Sequence, residues 1–282
     1  MLYLGCPQWS SESWKGRCFS AHVKPKNRLV EYGRVFNSVE GNTTFYADPT
    51  PYTVQHWLES VPDNFRFTFK IPKRFSHESL LEPNLDELGA WFGLITPLSS
   101  KIGQLMLQLP ASVGPKDFDK LMQFVGHIPR HFNLAIEVRH PEFFQKGESE
   151  RKFNRFLLDN QINRVMMDTR ALFSEAPITD AIIDAQRKKP KLPVNVIATS
   201  NQPIIRFVGC NNREANRSFY APWLLKIRQW LDEGKSPYVF FHTADNIDSP
   251  FLARQFVTDL NITHQVMDPF PAELEMKQNA LF

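Results

Sequence analysis

Residues 133–141 read Asn133-Leu134-Ala135-Ile136-Glu137-Val138-Arg139-His140-Pro141, and the alternation within them decides the fold. Successive side chains of an extended chain point to opposite sides, so Leu134, Ile136 and Val138 share one face. Asn133, Ala135, Glu137 and Arg139 share the other. The same period recurs outward along the chain. In 65–70 three phenylalanines alternate with Arg66, Thr68 and Lys70, and in 104–109 leucines alternate with Gln104, Met106 and Gln108. Strand-type runs fall at 2–5, 35–40, 65–70, 103–109, 133–138, 164–168, 204–208 and 238–242, with centres 30 to 40 residues apart. That spacing holds one strand, one helix and two loops. Helix-like patterns fill several of the gaps, at 53–60, 85–96, 118–127, 148–160, 221–232 and 250–260. Eight alternating units predict one α/β domain, a single (β/α)₈ TIM-like barrel spanning 1–263, followed by a short C-terminal tail at 264–282. The Lys- and Pro-rich stretch 187–193 reads as an extended loop between the sixth and seventh strands.

Composition narrows the function classes. The 282 residues carry 33 Lys plus Arg against 30 Asp plus Glu, a formal charge of +3. A scaffold that coats nucleic acid by charge alone is expected to be more basic. Hydrophobic residues make up 42% of the chain, with 24 Phe, which is enough for a core and excludes wholesale disorder. No run of about 18 uncharged apolar residues suggests a membrane span, and the first residues lack a secretory pattern. Cys6, Cys18 and Cys210 are odd in number and form no CxxC pair, so a reducing cytoplasm fits best. Phosphate-loop, dinucleotide-loop, HExxH and GxSxG motifs are absent.

In a barrel the apolar face of each strand packs under the helices and the polar face points inward. The last inward residue of each strand then sits at the C-terminal mouth, where active sites of this fold lie. Applied to every strand, the rule gives one ring: Glu40, Lys70, Gln108, Glu137, Arg139, Asp168, Arg206 and His242.

Several segments are similar to the YecE-like family, a widespread bacterial group labelled a domain of unknown function. They are Val39-Glu40-Gly41-Asn42-Thr43-Thr44-Phe45-Tyr46, Phe65-Arg66-Phe67-Thr68-Phe69-Lys70, Glu137-Val138-Arg139-His140-Pro141 and Asn163-Arg164-Val165-Met166-Met167-Asp168. Gly5-Cys6-Pro7-Gln8-Trp9-Ser10, Ala185-Gln186-Arg187-Lys188-Lys189-Pro190-Lys191 and Ile205-Arg206-Phe207-Val208-Gly209 extend the resemblance over essentially the whole chain. It implies a single-domain TIM-like barrel and carries no reaction with it.

Ionisable groups gathered at a barrel end are costly to bury unless they pair or bind something. One reading is a site for an anionic small molecule or a nucleic acid. Arg139 and Arg206 would then clamp a phosphate or carboxylate, with Gln108, Asn42, Trp9 and Tyr46 completing the binding surface. Glu40, Glu137, Asp168, His242 and Lys70 are the candidate catalytic groups, the carboxylates and His242 for proton transfer. The other reading is an ion-pair network that only organises the barrel. A divalent metal, if present, would sit on Glu137, Asp168 and His242. Lys70 is an ion-pair partner or, if desolvated, a Schiff-base lysine. The reactions that fit are cleavage of a phosphoester linked to DNA metabolism and, with no link to DNA, a sugar-type isomerisation or lyase step. A non-catalytic nucleic-acid or repair-partner binding protein is the alternative of another class.

The tail ends Gln278-Asn279-Ala280-Leu281-Phe282. The Gln-x-x-Leu-Phe pattern resembles the pentapeptide by which bacterial polymerases and repair proteins bind the replicative sliding clamp. Leu281 and Phe282 would fill an apolar pocket and Gln278 would bond its rim.

Overall fold

The computed structural model describes residues 1–262 and 267–279, the side chains of 277–279 excepted. Eight parallel strands form the sheet: β1 (Tyr3–Gly5), β2 (Ser38–Gly41), β3 (Arg66–Lys70), β4 (Ile102–Gln108), β5 (Leu134–Glu137), β6 (Asn163–Asp168), β7 (Ile204–Val208) and β8 (Tyr238–His242). Around them lie α1 (Arg28–Val35), α2 (Thr43–Tyr46), α3 (Pro51–Ser60), α4 (Leu85–Ile95), α5 (Phe118–Gly126), α6 (Glu148–Asp159), α7 (Asp180–Lys188), α8 (Asn216–Asp232), α9 (Ser249–Leu260) and α10 (Pro271–Asn279). The ladder runs β1-β8-β7-β6-β5-β4-β3-β2. All eight expected strands are found, and the barrel is one (β/α)₈ unit. Among the described residues no helix is long and apolar enough to cross a membrane.

The seam between β1 and β2 is closed largely by side chains. Glu40 N donates to Cys6 O at 3.0 Å. The Asn37 amide copies a strand, accepting from Leu4 N at 2.7 Å and donating to Leu2 O at 2.9 Å. The Tyr32 hydroxyl accepts from Cys6 N at 2.7 Å and donates to Ser38 O at 2.9 Å. Gly5 permits this approach, since a Cβ there would lie 2.1 Å from Ser38 O.

The inward residues stack in layers, as they must in a barrel of this size. Tyr3 stacks on Tyr238 at the N-terminal end, ring centroids 4.4 Å apart. Beside them Asn163 donates to Gln104 at 3.0 Å. Met106, Ala135, Val165, Ile204 and Phe240 fill the middle as an apolar plug. That plug keeps water from passing through and leaves the mouth as a closed floor of polar side chains. The outward residues of the strands form the larger core with the helices. Trp57 stacks on Phe69 at 5.1 Å, and Phe241 meets Phe256 at 4.9 Å.

Four helices escape the sequence reading: α1, α2, α7 and α10. Of these, α7 has nine residues capped by Thr179, whose hydroxyl accepts from Ile182 N at 3.3 Å. Its last turn contains Arg187 and Lys188, which were expected in a loop. Both pair with Asp184, at 2.7 and 2.6 Å, on the helix surface. The sequence sets 264–282 apart as a short tail, and within it Phe270 is buried beside Phe251, with centroids 5.3 Å apart. The Arg254 guanidinium lies over the Phe270 ring, and Glu273 pairs with Arg254 at 2.6 Å. The chain from Met267 into α10 therefore packs on the barrel.

Candidate functional site

Seven of the eight ring residues come together at the mouth. Arg206, from β7, is the centre. Its Nε and Nη2 donate to the two oxygens of Glu40, each at 2.7 Å, and its Nη1 donates to Glu137. Such a fork-to-carboxylate contact fixes both partners. Arg139 donates from Nε to the other Glu137 oxygen at 2.8 Å. His242 Nε2 lies 3.1 Å from Glu40 Oε2. Lys70 donates to Gln108 Oε1 at 3.0 Å and lies 3.7 Å from Glu40. Alternation along β2, β3, β4, β5, β7 and β8 aims these side chains inward, and their position as the last inward residue sets their height.

Asp168 is the exception. On β6, Asn163 and Val165 face inward, so alternation sends Asp168 outward. There its carboxylate accepts from Trp223 Nε1 of α8 at 2.8 Å and from Arg170 at 2.7 and 3.0 Å. The expectation that Asp168 joins the ring, as catalytic group or metal ligand, is therefore corrected: its strand parity is opposite. Glu137, Asp168 and His242 cannot share a metal. Among the described residues no three His, Cys, Asp or Glu side chains converge as metal ligands.

Lys189 was missed as a site residue. It follows α7 in extended conformation, as the residue before a proline prefers. The residue is half-buried, and its amine interacts electrostatically with Arg206, Lys70, Glu40 and Glu137 of the mouth. His77, in the irregular turn Arg74–Glu78, was missed as well. It bonds Ser76 at 2.8 Å and lies within the influence of Arg139 and Lys70. Spacing gave no signal for either residue, because both sit on loops that return to the mouth.

Burial and charge set the protonation states. Burial pushes the Glu137 carboxyl up, but Arg206, Arg139 and Lys70 outweigh it and hold it at about 2. Glu40 is likewise raised by burial and carried well below the usual range by Arg206, His242 and Lys70. Burial lowers His242 to about 3, against the pull of Glu40, so its imidazole is neutral. Lys70 is brought down to about 8 by burial and by Arg206, against Glu40 and Glu137. Lys189 is brought down to about 7 by burial, Arg206 and Lys70, with the same two carboxylates offsetting in part. Burial, then Arg139 and Lys70, also lower His77.

The charges do not balance. The carboxylates Glu40 and Glu137 face four cations, Lys70, Arg139, Arg206 and Lys189. Arg206 alone engages both carboxylates, so the two lysines and Arg139 leave an excess of positive charge. The lysine values are lowered first by burial, and the neighbouring cations add to that.

Beside the mouth, loops after β1 and β2 enclose a cleft of about 290 Å³. Trp9, Asn42 and Tyr46, expected as binding residues, all line it. Trp9 is fixed edge-on against Trp57, with centroids 5.4 Å apart, and Tyr46 is 73% exposed. Asn42 donates to Pro7 O at 2.8 Å, leaving its buried Oδ1 without a partner among the described residues. The basic residues after β7 stay outside the mouth: Arg217 pairs with Asp259 at 2.8 Å, and Arg213 lies over Phe251. Of the tail residues, Leu281 and Phe282 lie outside the described residues, and so does the side chain of Gln278.

The family model described as protein of unknown function DUF72 matches residues 3–277. The UPF0759 protein YecE of Escherichia coli K12 is 42% identical over 272 residues, covering 96% of this chain and 97% of its own. A crystal structure of a DUF72 family protein from Enterococcus faecalis superposes with a TM-score of 0.74 at 20% identity, covering 95% of this chain and 98% of that one. One from Thermotoga maritima gives 0.68 at 25% identity, covering 93% and 100%.

Proposed function

We propose that this chain, which belongs to the DUF72 family of YecE-like proteins, uses the C-terminal mouth of its barrel to bind and transform a phosphorylated or otherwise anionic substrate. The observation that carries this reading is the excess of cations over carboxylates at the mouth. A network that only organised the barrel would be neutral, and two partly discharged lysines would have no place in it. Lys70 and Arg139 supply the charge that a phosphate or carboxylate would neutralise. The neighbouring cleft, with Trp9, Tyr46 and the unpartnered Asn42 oxygen, would receive the remainder of the molecule.

Phosphoester cleavage linked to DNA metabolism asks for more than charge. It needs a base or a metal aligned with the attacking water. Glu40 and Glu137 are tied to Arg206 and are weak bases, and His242 is weaker than an ordinary imidazole. The lysine amines are the mouth groups matched to neutral pH, which favours amine chemistry over hydrolysis.

Sulfate, a dianion throughout the relevant pH range, tests the anion reading. At constant ionic strength and pH 6, sulfate at about 100 times its dissociation constant should stabilise the protein by about 2.7 kcal/mol. Lys70→Met and Arg139→Met should lose most of that gain. Equal stabilisation of both variants would place the anion elsewhere.

For the tail we propose a separate role, carried by the Gln278, Leu281 and Phe282 pattern: docking on the sliding clamp. Removing Leu281 and Phe282 should abolish binding to purified clamp, and unchanged binding would sink the idea.

A further inference from the structure

Among the described residues, the side-chain amine of Lys189 alone of the four mouth cations makes no hydrogen bond and no ion pair. Its backbone, by contrast, is held firmly. Lys189 N donates to Ala185 O at 2.9 Å. The carbonyl before it accepts from Arg139 Nη1 at 3.4 Å, and the carbonyl after it accepts from Thr169 Oγ1 at 3.0 Å. Thr169 follows β6 and Arg139 follows β5, so two barrel strands fix the loop that delivers this side chain. Its neighbours in the basic run are all engaged outside the mouth, Arg187 and Lys188 on Asp184 and Lys191 over the Phe173 ring. Lys70, the lysine the sequence offers for covalent chemistry, is occupied by Gln108 and Glu40.

We propose that Lys189 is an amine nucleophile that condenses with the carbonyl group of a small anionic aldehyde or ketone whose anion is held by Lys70 and Arg139. This deepens the anion-substrate reading and rests on it. The amine lone pair forms the new C–N bond while the C=O pair moves to oxygen and takes up a proton, and the nitrogen gives one up. The product is a carbinolamine. Loss of its hydroxyl as water, with the second nitrogen proton, leaves an imine, so one water is released for each carbonyl consumed. An amine does this only when it is unprotonated and not spent on an ion pair, and a second cation nearby is a known way of keeping it so. Burial together with Arg206 and Lys70 provides that setting, and it brings the amine to about 7.

The probe is pyridoxal 5′-phosphate, an aldehyde with a phosphate, applied to the full chain at pH 7.5. Borohydride reduction then fixes any imine, and peptide mass mapping locates it. At neutral pH an amine near 7 has on the order of 10³ times the free-base fraction of an ordinary lysine near 10.4, offset in part by weaker intrinsic nucleophilicity. Lys189 should therefore be labelled at least about tenfold faster than Lys188 or Lys191. Pyridoxal without its phosphate should lose most of that preference, and sulfate should slow labelling at Lys189 alone. Labelling of Lys189 no faster than of Lys188 would overturn the proposal. The two readings fail separately. Sulfate stabilisation that depends on Lys70, with no fast labelling, leaves the anion site and removes the amine chemistry. Fast labelling that neither phosphate nor sulfate affects removes the anion site.

Discussion

Replacing Arg206 with methionine should cost the protein about 3–5 kcal/mol of stability, the usual penalty for stripping one partner from a buried ion pair. The guanidinium is the only group that touches both Glu40 and Glu137 among the described residues. Without it, Glu40 keeps Lys70 at 3.7 Å and His242 at 3.1 Å, and Glu137 keeps Arg139 at 2.8 Å. Neither residual set matches a bidentate fork. For a chain of this size the melting temperature should fall by on the order of 10 °C. The pH dependence should change as well. In the native protein both carboxylates lie below their unfolded values. Their contribution is full above the unfolded value of about 4.3, and it fades as pH falls toward the folded value of about 2 for Glu137. In the variant that contribution is smaller at neutral pH, so the gap between the two proteins should narrow on acidification. Replacing Arg206, Glu40 and Glu137 together by apolar residues should recover part of the loss, because no charge is then left unpaired. Urea unfolding of the three proteins measures all of this. A loss below about 1 kcal/mol for Arg206→Met would mean that the carboxylates have another partner.

The barrel was legible in the sequence because its two signals are strictly local. Alternation such as Leu134, Ile136 and Val138 against Ala135 and Glu137 marks each strand, and regular spacing counts the units. The same parity rule placed seven of the eight mouth residues correctly. It failed at Asp168 because β6 is apolar on both faces: Val165 and Met166 are both buried, one inside the barrel and one outside. With no polar alternation to set the parity, the sequence offers its last acidic residue as the inward one. The structure assigns inward parity to Asn163 through Gln104 and outward parity to Asp168 through Trp223. Lys189 was hidden for a different reason. A basic run looks uniform in sequence, yet here three fates are packed into five residues. Helix α7 spends Arg187 and Lys188 on Asp184, the Lys189-Pro190 step turns one side chain into the mouth, and Lys191 leaves along Phe173. Only the tertiary path of the loop separates them. The path of the tail was equally invisible, since Phe270 finds its pocket between elements more than 200 residues apart, Phe19 before it and Phe251 near it.

The largest functional effect expected is a loss of anion binding with rising pH. An anion held by Lys70 and Arg139 favours the charged form of Lys70, so it raises the Lys70 value in the complex. Affinity is then full below the unliganded Lys70 value of about 8, and it weakens as pH climbs above it. If Lys70 must be charged, the population able to bind falls by about tenfold between pH 6 and pH 9. Arg206, whose value is raised by Glu40 and Glu137, keeps its charge across that range and supports the residual binding. Lys189→Met should leave that step in place. A lysine whose value is lowered on folding opposes folding below that value, so the variant should melt no lower than the parent protein at pH 6. The decisive measurement is calorimetric titration of sulfate into the full chain at pH 6 and pH 9, at equal ionic strength, alongside Lys70→Met and Lys189→Met. The account predicts binding at pH 6 that is weakened by about tenfold at pH 9 and by at least about tenfold in Lys70→Met at pH 6, with Lys189→Met retaining it. Binding that is the same at both pH values, or unchanged in Lys70→Met, would contradict it.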